Sequence, residues 1–385
     1  MKKILYISPS DPEYTNGGAI SAKKNLKMLL KLKKEKKIEL YEVISKEKEM
    51  MNQGKYFYEV KRKKYKAYIS RILGFAEQLE LESKKIIEII NTKKIEVVIF
   101  QNSRLGNISE KIKKKFPTIK IIQCFDNFEY EFSKMFTKNM NTIIRKIELS
   151  IVKKTEEKAV KNMDLGLFLT QKDSKSIENF YKYERKSKII PIFYENDYNE
   201  TLKIEKKNQV IFTGSLDMEA NIEAALFLIM NYEKIFEKNE YDLIIAGRNP
   251  DKRLEREILN RKKIKIISNP SKDKMEKLMR ESLFYISPVF DGSGMKTKFL
   301  EAIFYGLPIV ASEHTMIGYD FFEQDKIEFV KIFKDRDIEN LKIHIEKIKI
   351  NLKNDDLTKT IRKFYYETFS EKRIFKMIEE AINEV

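Results

Sequence analysis

The chain has 385 residues, of which 42% are hydrophobic and 35% are charged, and its formal net charge is +17. This length exceeds one ordinary hydrophobic core, so two domains are expected, and the apolar content excludes a generally disordered chain. A single cysteine, Cys124, excludes an intramolecular disulfide and fits a reducing compartment, and no apolar run approaches the ~18 residues of a membrane-spanning helix. We therefore expect a cytoplasmic protein in which Cys124 is a small buried core residue.

Short apolar runs alternate with longer amphipathic stretches, a pattern typical of β-α units and a parallel sheet. In the first half of the chain the pattern predicts strands at 4–8, 38–44, 97–101, 119–125, 165–170 and 188–191. Helices are predicted between these strands at 19–32, 83–91 and 141–161.

The second half repeats this organisation. Strands are predicted at 209–214, 242–247, 264–268, 283–287 and 309–312. Helices are predicted at 219–237, 274–281, 298–305 and 338–352, and the last is expected at 371–384, where apolar residues recur at helical spacing. Each half is therefore a plausible Rossmann-like domain, and the polar stretch 192–207 is the expected linker.

Positive charge is concentrated in the first half. Residues 1–200 hold 43 basic and 27 acidic residues, a balance of +16, whereas residues 201–385 have a balance of +1. Such asymmetry indicates an anionic partner for the first half. Within it, residues 55–66 interleave lysines with aromatic residues, a composition that suits an anionic membrane surface, although a solvated face is an equal alternative. No RNA- or DNA-binding signature accompanies the segment, so no nucleic-acid partner is expected.

The segment from Ser287 to Ala302 carries the most informative chemistry. A predicted strand is followed by a turn with Gly292 and Gly294 and then by a predicted helix. Glycines let backbone N–H groups approach phosphate oxygens, and a helix N-terminus adds about half a positive charge. Lys296 and Lys298 can add full charges, and a carboxylate on the same helix, Glu301, can accept hydrogen bonds from a ribose diol. A plain turn with solvated lysines is the alternative.

The wider run resembles the signature Gly-x-Gly-x-(Arg/Lys)-x-Lys-x-Leu-Glu-Ala of glycosyltransferase family 4, and Gly-Leu-Pro-Ile-Val-Ala-Ser at 306–312 follows at the spacing that this family has. The resemblance implies that Lys298 faces the donor phosphates and that Glu301 binds the ribose. It places the whole loop at the donor, namely Gly292, Ser293, Gly294, Met295, Lys296 and Thr297. Asp291 lies ten residues before Glu301, against eight for the family's usual acid pair, so Asp291 is not expected to act in the site.

A second segment, 210–221, is similar to the opening of the family's second domain. Gly214 and Ser215 are expected at the diphosphate, and Asp217 is favoured as a helix N-cap over a catalytic role. Relatives place arginine and lysine here as phosphate clamps, and this chain does not, which shifts that function to the lysines after Gly294 and to Arg248. Arg248 is either a site residue or a solvated loop cation.

In the first half, Gly17 and Gly18 resemble the family's double-glycine loop, which faces the cleft between the domains, and a plain flexible loop is the alternative. Asp126 and Glu129 follow a strand in a region that resembles the family's Asp-x-His-Asn-x-Glu, without the histidine. Either carboxylate is a candidate base for the acceptor hydroxyl, although structural capping is the more frequent use of such residues.

The resemblance implies the α/β GT-B fold, in which two Rossmann-like domains face each other across a cleft. The expected boundaries are 1–195 for an acceptor-binding domain, 205–368 for a nucleotide-sugar-binding domain, and 369–385 for a helix that returns to the first domain. No metal site is expected, since His314 and His344 have no Cys or His partner at ligand spacing.

The implied activity is hexosyl transfer from a UDP- or GDP-sugar to a hydroxyl, with retention and without a metal or a separate cofactor. The acceptor would be a glycan or lipid-linked molecule of cell-surface polysaccharide, lipopolysaccharide or glycolipid synthesis, reached from the inner face of the cytoplasmic membrane. Two alternatives stay open, a nucleotide-sugar epimerase on the same fold and a non-catalytic partner of another transferase. An NAD-dependent oxidoreductase is disfavoured, because the first strand leads into Ser8-Pro9-Ser10 and not into Gly-x-Gly-x-x-Gly.

Overall fold

The computed structural model describes residues 1–13, 17–46, 55–195, 204–236, 240–292, 295–319, 327–352 and 356–385. By its internal contacts the chain divides into two compact units. Unit 1 consists of Met1–Ile192 together with Ile374–Val385, and unit 2 is Phe193–Arg373.

Unit 1 is built on a parallel sheet in which seven strands are described, in the order β3-β2-β1-β4-β5-β6-β7. The strands are β1 Lys2–Ser8, β2 Ile38–Lys46, β3 Tyr58–Lys61, β4 Val97–Gln101, β5 Lys120–Phe125, β6 Leu165–Phe168 and β7 Ser187–Ile189. The central strands read as continuous apolar runs because both faces of a parallel sheet are covered by helices. Cys124, on β5, is buried as predicted.

The helices of unit 1 fill the connections between these strands. They are α1 Gly17–Lys34, α2 Lys64–Ile72, α3 Ser83–Lys93, α4 Gly106–Lys115, α5 Glu129–Phe136, α6 Thr142–Asn162 and α7 Gln171–Tyr181. A core of leucine, isoleucine, valine and phenylalanine side chains lies between this layer and the sheet.

Unit 2 contains a second parallel sheet, with six strands described in the order β10-β9-β8-β11-β12-β13. The strands are β8 Gln209–Ser215, β9 Asp242–Arg248, β10 Ile264–Ser268, β11 Phe284–Ser287, β12 Ile309–Ser312 and β13 Val330–Phe333. In chain order within the unit this is 3-2-1-4-5-6, the doubly wound order of nucleotide-binding folds. The winding reverses between β8 and β11, and open α/β sheets bind ligands beyond the carboxyl ends of the strands at such a point.

The helices after β8 are α8 Glu219–Met230, α9 Tyr232–Ile235, α10 Lys252–Glu257, α11 Lys272–Glu281, α12 Thr297–Phe304, α13 Ile338–Asn351, α14 Leu357–Phe369 and α15 Glu371–Glu384. The helix predicted at 219–237 is in fact two, α8 and α9, separated at Asn231. In the described part of the chain, no helix combines the length and the apolar character that crossing a membrane requires.

From Ile374 onward, α15 belongs to unit 1. The Lys2 ammonium donates to the carbonyl of Ile382 at 2.8 Å, and the carboxylate of Glu384 pairs with Lys188 at 2.6 Å. Ile374 and Ile378 are buried on its apolar face. The expectation that the last helix returns to the first half of the chain is confirmed.

Candidate functional site

Three neighbouring strands of unit 2 end on one edge of the sheet. β8 ends at Ser215, β9 at Arg248 and β11 at Ser287, and β8 lies between the other two. Because the strands are parallel, their carboxyl ends share that edge, and it includes the point where the winding reverses. The predicted donor segments after β8 and β11 therefore lie next to each other.

The loop after β11 changes direction at Gly292, whose φ is +97°. This is the left-handed region that favours glycine, and a side chain there would be strained. Met295 is half-buried, Lys296 is the N-cap residue of α12, and Thr297 is exposed in its first turn. Ser293 and Gly294 lie outside the described residues.

Hydroxyl groups at the end of β12 and directly after it donate hydrogen bonds to backbone carbonyl oxygens of the loop after β11. The Thr315 hydroxyl donates to the carbonyl of Ser287 at 2.8 Å, and the Ser312 hydroxyl donates to that of Val289.

Two further contacts continue the same arrangement. Nε2 of His314 lies 2.7 Å from the Gly292 carbonyl oxygen, and the Tyr319 hydroxyl donates to the carbonyl of Lys296 at 3.0 Å. The loop backbone is thereby fixed by side chains from a neighbouring strand end, which is the kind of support a preorganised site requires.

Lys296 is turned back onto its own loop. Its ammonium group donates to the carbonyl of Gly292 at 3.0 Å. Burial lowers the pKa of Lys296 to about 8, and the carboxylate of Asp291 opposes that effect. An anion bound beside Lys296 would favour its charged form and raise its pKa again.

Lys298 and Glu301 form an ion pair on α12, with Nζ and Oε2 2.6 Å apart. The Lys298 side chain is 41% exposed whereas that of Glu301 is 3% exposed. The other carboxylate oxygen, Oε1, accepts a hydrogen bond from the Tyr194 hydroxyl at 3.0 Å. Burial first, and the charge of Glu301 next, raise the pKa of Tyr194 above its usual range, so this hydroxyl stays protonated and donates. Both carboxylate oxygens of Glu301, the residue predicted to bind the ribose, therefore have partners in this structure.

Beneath the loop after β8, two strands approach very closely. Gly214 is paired with Gly247, and a Cβ on Gly247 would lie 1.8 Å from the carbonyl oxygen of Gly214. The half-buried Ser215 follows, and its carbonyl accepts from the Asn221 amide at 3.0 Å. These contacts position the turn between β8 and α8.

The helix cap predicted after this turn is wrong. Residue Met218 holds the N-cap position of α8, without a side-chain hydrogen bond. Asp217 instead accepts from the side-chain amide of Asn249 at 3.1 Å, which ties the loop after β8 to the loop after β9. The helix begins at Glu219, as predicted, so Met218 and not Asp217 is the residue directly before its first turn. Arg248 is exposed at the end of β9 and occupies the same edge as the donor loop.

In unit 1, Gly17 and Gly18 are the first residues of α1 and not part of a loop. The helix predicted from Ala19 therefore begins two residues earlier.

Asp126 lies after β5 in a buried polar network. Its Oδ1 accepts from the Gln101 amide at 2.8 Å, and the Oε1 of Gln101 accepts from Asn25 at 2.8 Å and from the Tyr6 hydroxyl at 3.2 Å. Asp126 Oδ2 is buried and meets no donor within hydrogen-bond distance among the described residues. Burial raises the pKa of Asp126 to about 6, which suits a group that takes a proton near neutral pH.

Glu129 begins α5 and is engaged in structural contacts. Its Oε1 accepts from the Asn102 amide at 2.9 Å, and Nε of Arg104 lies 3.8 Å from Oε2. Its own backbone N–H donates to Glu156 at 2.9 Å. Burial raises the pKa of Glu129, and Arg104 counteracts that rise. Of the two candidate bases, Asp126 has the freer carboxylate oxygen.

Tyr194, His314 and Tyr319 lie in the candidate site, and sequence reasoning did not find them. Tyr194 lies 107 positions before Glu301, so no local pattern connects them. In the sequence His314 stands out only as a possible metal ligand without a partner at ligand spacing. The one feature of the sequence that could have identified His314 as a candidate site residue is its position directly after a predicted strand, at the carboxyl edge of the sheet.

Residues 207–348 match the family described as "Glycosyl transferases group 1". No curated protein showed significant sequence similarity to the chain.

Among solved structures, the chain is similar to the sucrose-phosphate synthase of Thermosynechococcus elongatus, with a TM-score of 0.67 and 12% identity over 100% of this chain and 99% of that one. It is similar to the lipopolysaccharide outer core galactosyltransferase WaaB, with a TM-score of 0.65 and 12% identity over 99% of each chain. The Anabaena protein HepE in complex with UDP gives a TM-score of 0.63 and 10% identity over 100% of both chains. At these identities the likeness shows the fold. The chain therefore has the GT-B fold, and its residues 207–348 form a glycosyl transferases group 1 domain.

Proposed function

We propose that this protein, as a member of glycosyltransferase family 4, transfers a hexose from a nucleoside diphosphate to an acceptor hydroxyl with retention of configuration. One observation carries the proposal. The loop after β11, with Lys296 and Lys298, lies at the winding reversal of unit 2, next to the glycine turn after β8. A diphosphate fits such a place, because cationic side chains and a helix N-terminus face the same edge.

The donor is proposed to lie with its diphosphate at the N-terminus of α12 and its ribose at Glu301. A UDP- or GDP-sugar is favoured, and the HepE structure with UDP, on the same fold, supports the first. The buried carboxylate of Glu301 can accept two ribose hydroxyls once its bonds to Lys298 and Tyr194 have opened. Opening that pair would also free the Lys298 ammonium for a phosphate oxygen.

The residues assist the reaction mainly by electrostatics. As the bond between the sugar and the diphosphate breaks, negative charge grows on the leaving oxygen, and fixed cations that are partly removed from water stabilise it. Lys296, Lys298 and the first N–H groups of α12 are the proposed groups, so the proposal needs no metal or further cofactor. Arg248, exposed on the same edge, is a candidate for a supporting phosphate contact.

Asp126 is the proposed base for the acceptor hydroxyl, because its pKa of about 6 lets it hold a negative charge at neutral pH and still accept a proton. The acceptor class is proposed to be a glycan or a lipid-linked molecule of the cell surface, and WaaB, described as a lipopolysaccharide core galactosyltransferase, shares the fold. The location proposed for this reaction is the cytoplasm at the inner membrane face.

The test is the substitution Lys298→Ala, with Lys363→Ala as its control. Lys363 also pairs with a carboxylate on a helix of unit 2, Glu367 at 4.0 Å, but on α14. With UDP- and GDP-sugars, release of the nucleoside diphosphate should fall ~30- to 1,000-fold for Lys298→Ala, equivalent to about 2–4 kcal/mol in the barrier. The control should keep its rate. A Lys298→Ala protein with a near-wild-type rate and an intact melting transition would remove Lys298 from the mechanism.

A further inference from the structure

Helix α2 presents an apolar face to solvent. Tyr68 and Ile72 are each 73% exposed. The exposed members of this face are Tyr65, Tyr68, Ile69, Ile72 and, directly after the helix, Leu73. The first four recur at i, i+3, i+4 and i+7, so they lie along one side of the helix. A stripe of this kind normally faces a core, and here it faces outward.

A second apolar group lies at the end of α5 and the beginning of α6. Phe136 is 77% exposed and Ile143 is 70% exposed. The exposed members are Met135, Phe136, Met140, Ile143, Ile144 and Ile147. Farther along α6 the same apolar spacing continues into buried residues, Ile151 and Val152. The first two turns of α6 therefore extend the apolar side of the helix beyond the core of unit 1.

The two groups are neighbours. Nε of Arg71, on α2, lies 2.8 Å from a carboxylate oxygen of Glu148, on α6. Gly74 and Ile147 also line one cavity, which has a volume of about 620 Å³. We call the combined surface the apolar patch. Single exposed apolar residues are ordinary on proteins, whereas eleven exposed apolar side chains in two adjacent groups mark an interaction surface.

Lysines surround the apolar patch. Lys63 and Lys64 lie at the start of α2, Lys138 lies between α5 and α6, and Lys146 lies on α6, all of them exposed. In the described part of the chain none of these four ammonium groups lies within ion-pair distance of a carboxylate. They are positioned to meet an anionic surface.

The cations earlier in the basic segment are used differently. Lys55 pairs with Glu13 at 2.5 Å and Arg62 with Glu77 at 3.3 Å, and Tyr56 is buried. The first part of segment 55–66 therefore makes contacts within unit 1, and only the end of the segment contributes side chains to the apolar patch.

We propose that the apolar patch docks unit 1 onto the surface of an anionic lipid bilayer. Isoleucine and methionine side chains would enter the acyl boundary, the tyrosines of α2 would lie at headgroup level, and the lysines would reach the lipid phosphates on their flexible stems. A protein partner fits less well, because protein interfaces are depleted of lysine relative to the rest of the protein surface. Docking requires neither nucleotide nor sugar, so it stands or falls independently of the proposed transfer reaction.

The experiment is co-sedimentation of the full chain with vesicles of phosphatidylcholine alone or with phosphatidylglycerol added. The wild type should bind the anionic vesicles and not the neutral ones. Ile143→Ser combined with Ile147→Ser should lower the partition coefficient at least ~10-fold, since two buried aliphatic side chains are lost from the bilayer. Lys138→Gln combined with Lys146→Gln should lower it ~10- to 30-fold, since each cation near an anionic surface contributes a factor of about 5.

Matched controls distinguish this surface from general stickiness. Leu259 and Ile350 of unit 2 are exposed to 70% and 67%, so Leu259→Ser combined with Ile350→Ser should leave binding unchanged. Lys55→Gln should also have little effect, because Lys55 is paired with Glu13.

Equal binding to neutral vesicles, no binding to either kind, or patch variants that bind as the wild type does would each overturn the proposal. A wild-type dimer in sedimentation velocity that the isoleucine variant dissociates would overturn it as well, in favour of an interface between copies of the chain. Unchanged melting transitions of the variants would show that lost binding is not lost folding.

Discussion

The hydroxyl of Tyr194 is bound to the carboxylate that we propose as the ribose ligand, which makes Tyr194→Phe an informative substitution. The hydroxyl donates to Oε1 of Glu301 at 3.0 Å. Phenylalanine keeps the ring, which packs edge-to-face on Phe304 with centroids 5.2 Å apart, and removes only the hydrogen bond. The effect of the hydroxyl can therefore be separated from the effect of packing.

The change should destabilise the unliganded protein and strengthen nucleotide binding. A hydrogen bond to a charged acceptor contributes about 1.5–3 kcal/mol, and we take ~1–2 kcal/mol because Tyr194 is only half-buried. For a unit of this size that lowers the melting temperature by ~2–8 °C. The ribose hydroxyls would no longer compete with Tyr194 for Glu301, so the Kd of UDP or GDP should fall by up to ~5- to 30-fold.

Melting curves and titration calorimetry with UDP and GDP measure both effects. Tyr232→Phe is the control, because the Tyr232 hydroxyl also donates within unit 2, to the carbonyl of Tyr241, away from the donor loop. It should lower the melting temperature without changing the Kd. If Tyr194→Phe weakens nucleotide binding in proportion to its loss of stability, Tyr194 supports the bound state and our reasoning about competition is refuted.

Two further predictions concern the same edge of unit 2. Since the pKa of Lys296 is lowered to about 8, its positive charge is lost as the pH rises through that value, and the affinity for UDP or GDP should decline between pH 7.5 and pH 9.5. Calorimetry across that range should show a flatter profile for Lys296→Met, and identical slopes would exclude Lys296 from the phosphate site. Gly247→Ala would force a Cβ to within 1.8 Å of the Gly214 carbonyl oxygen, so it should destabilise unit 2 by about 3 kcal/mol or more. Gly74→Ala places its new Cβ more than 4 Å from every atom of the other described residues, so it should cost only about 1 kcal/mol, from its positive φ. Chemical denaturation measures both, and similar losses for the two variants would contradict the close approach of β8 and β9.

Buried strands were predictable from sequence because their apolar runs are continuous and bounded by turn residues. The predicted limits of the buried strands β4 and β12 agree with the structure residue for residue, and so do those of β10, a five-residue strand at the sheet edge. The strands that were missed, β3 and β13, lie at the edges of their sheets. Each has only four residues and is partly exposed, so its pattern is too short and too polar to distinguish from a loop.

The location of the donor loop was also predictable, because strand, glycine turn and helix are a local pattern. The hydrogen-bond partners of the functional groups in this loop were not predictable. The partner of Glu301 on Oε1 comes from a segment more than a hundred positions away, and the carbonyl contacts of Ser312 and Thr315 depend on β11 and β12 being neighbours in the sheet. Sequence patterns describe which residues are near along the chain, whereas these contacts depend on strand order.

The same limit applies to the basic segment. Composition alone gives every cation of 55–66 equal weight, yet Lys55 and Arg62 are paired with carboxylates of unit 1, whereas Lys64 has no such partner among the described residues. Nothing local to the sequence indicates which of them has a partner.

The last helix has a consequence for how the chain is made. Unit 1 contains both the first 192 residues and the stretch from Ile374, while all of unit 2 is translated in between. On the ribosome, more than 330 further residues must therefore be synthesised after α1 before α15 can pack on β1 and α1. Phe375 cannot meet the ammonium groups of Lys31 and Lys37 before then. Unit 2, a continuous segment, can complete its folding first, although its sequence comes later.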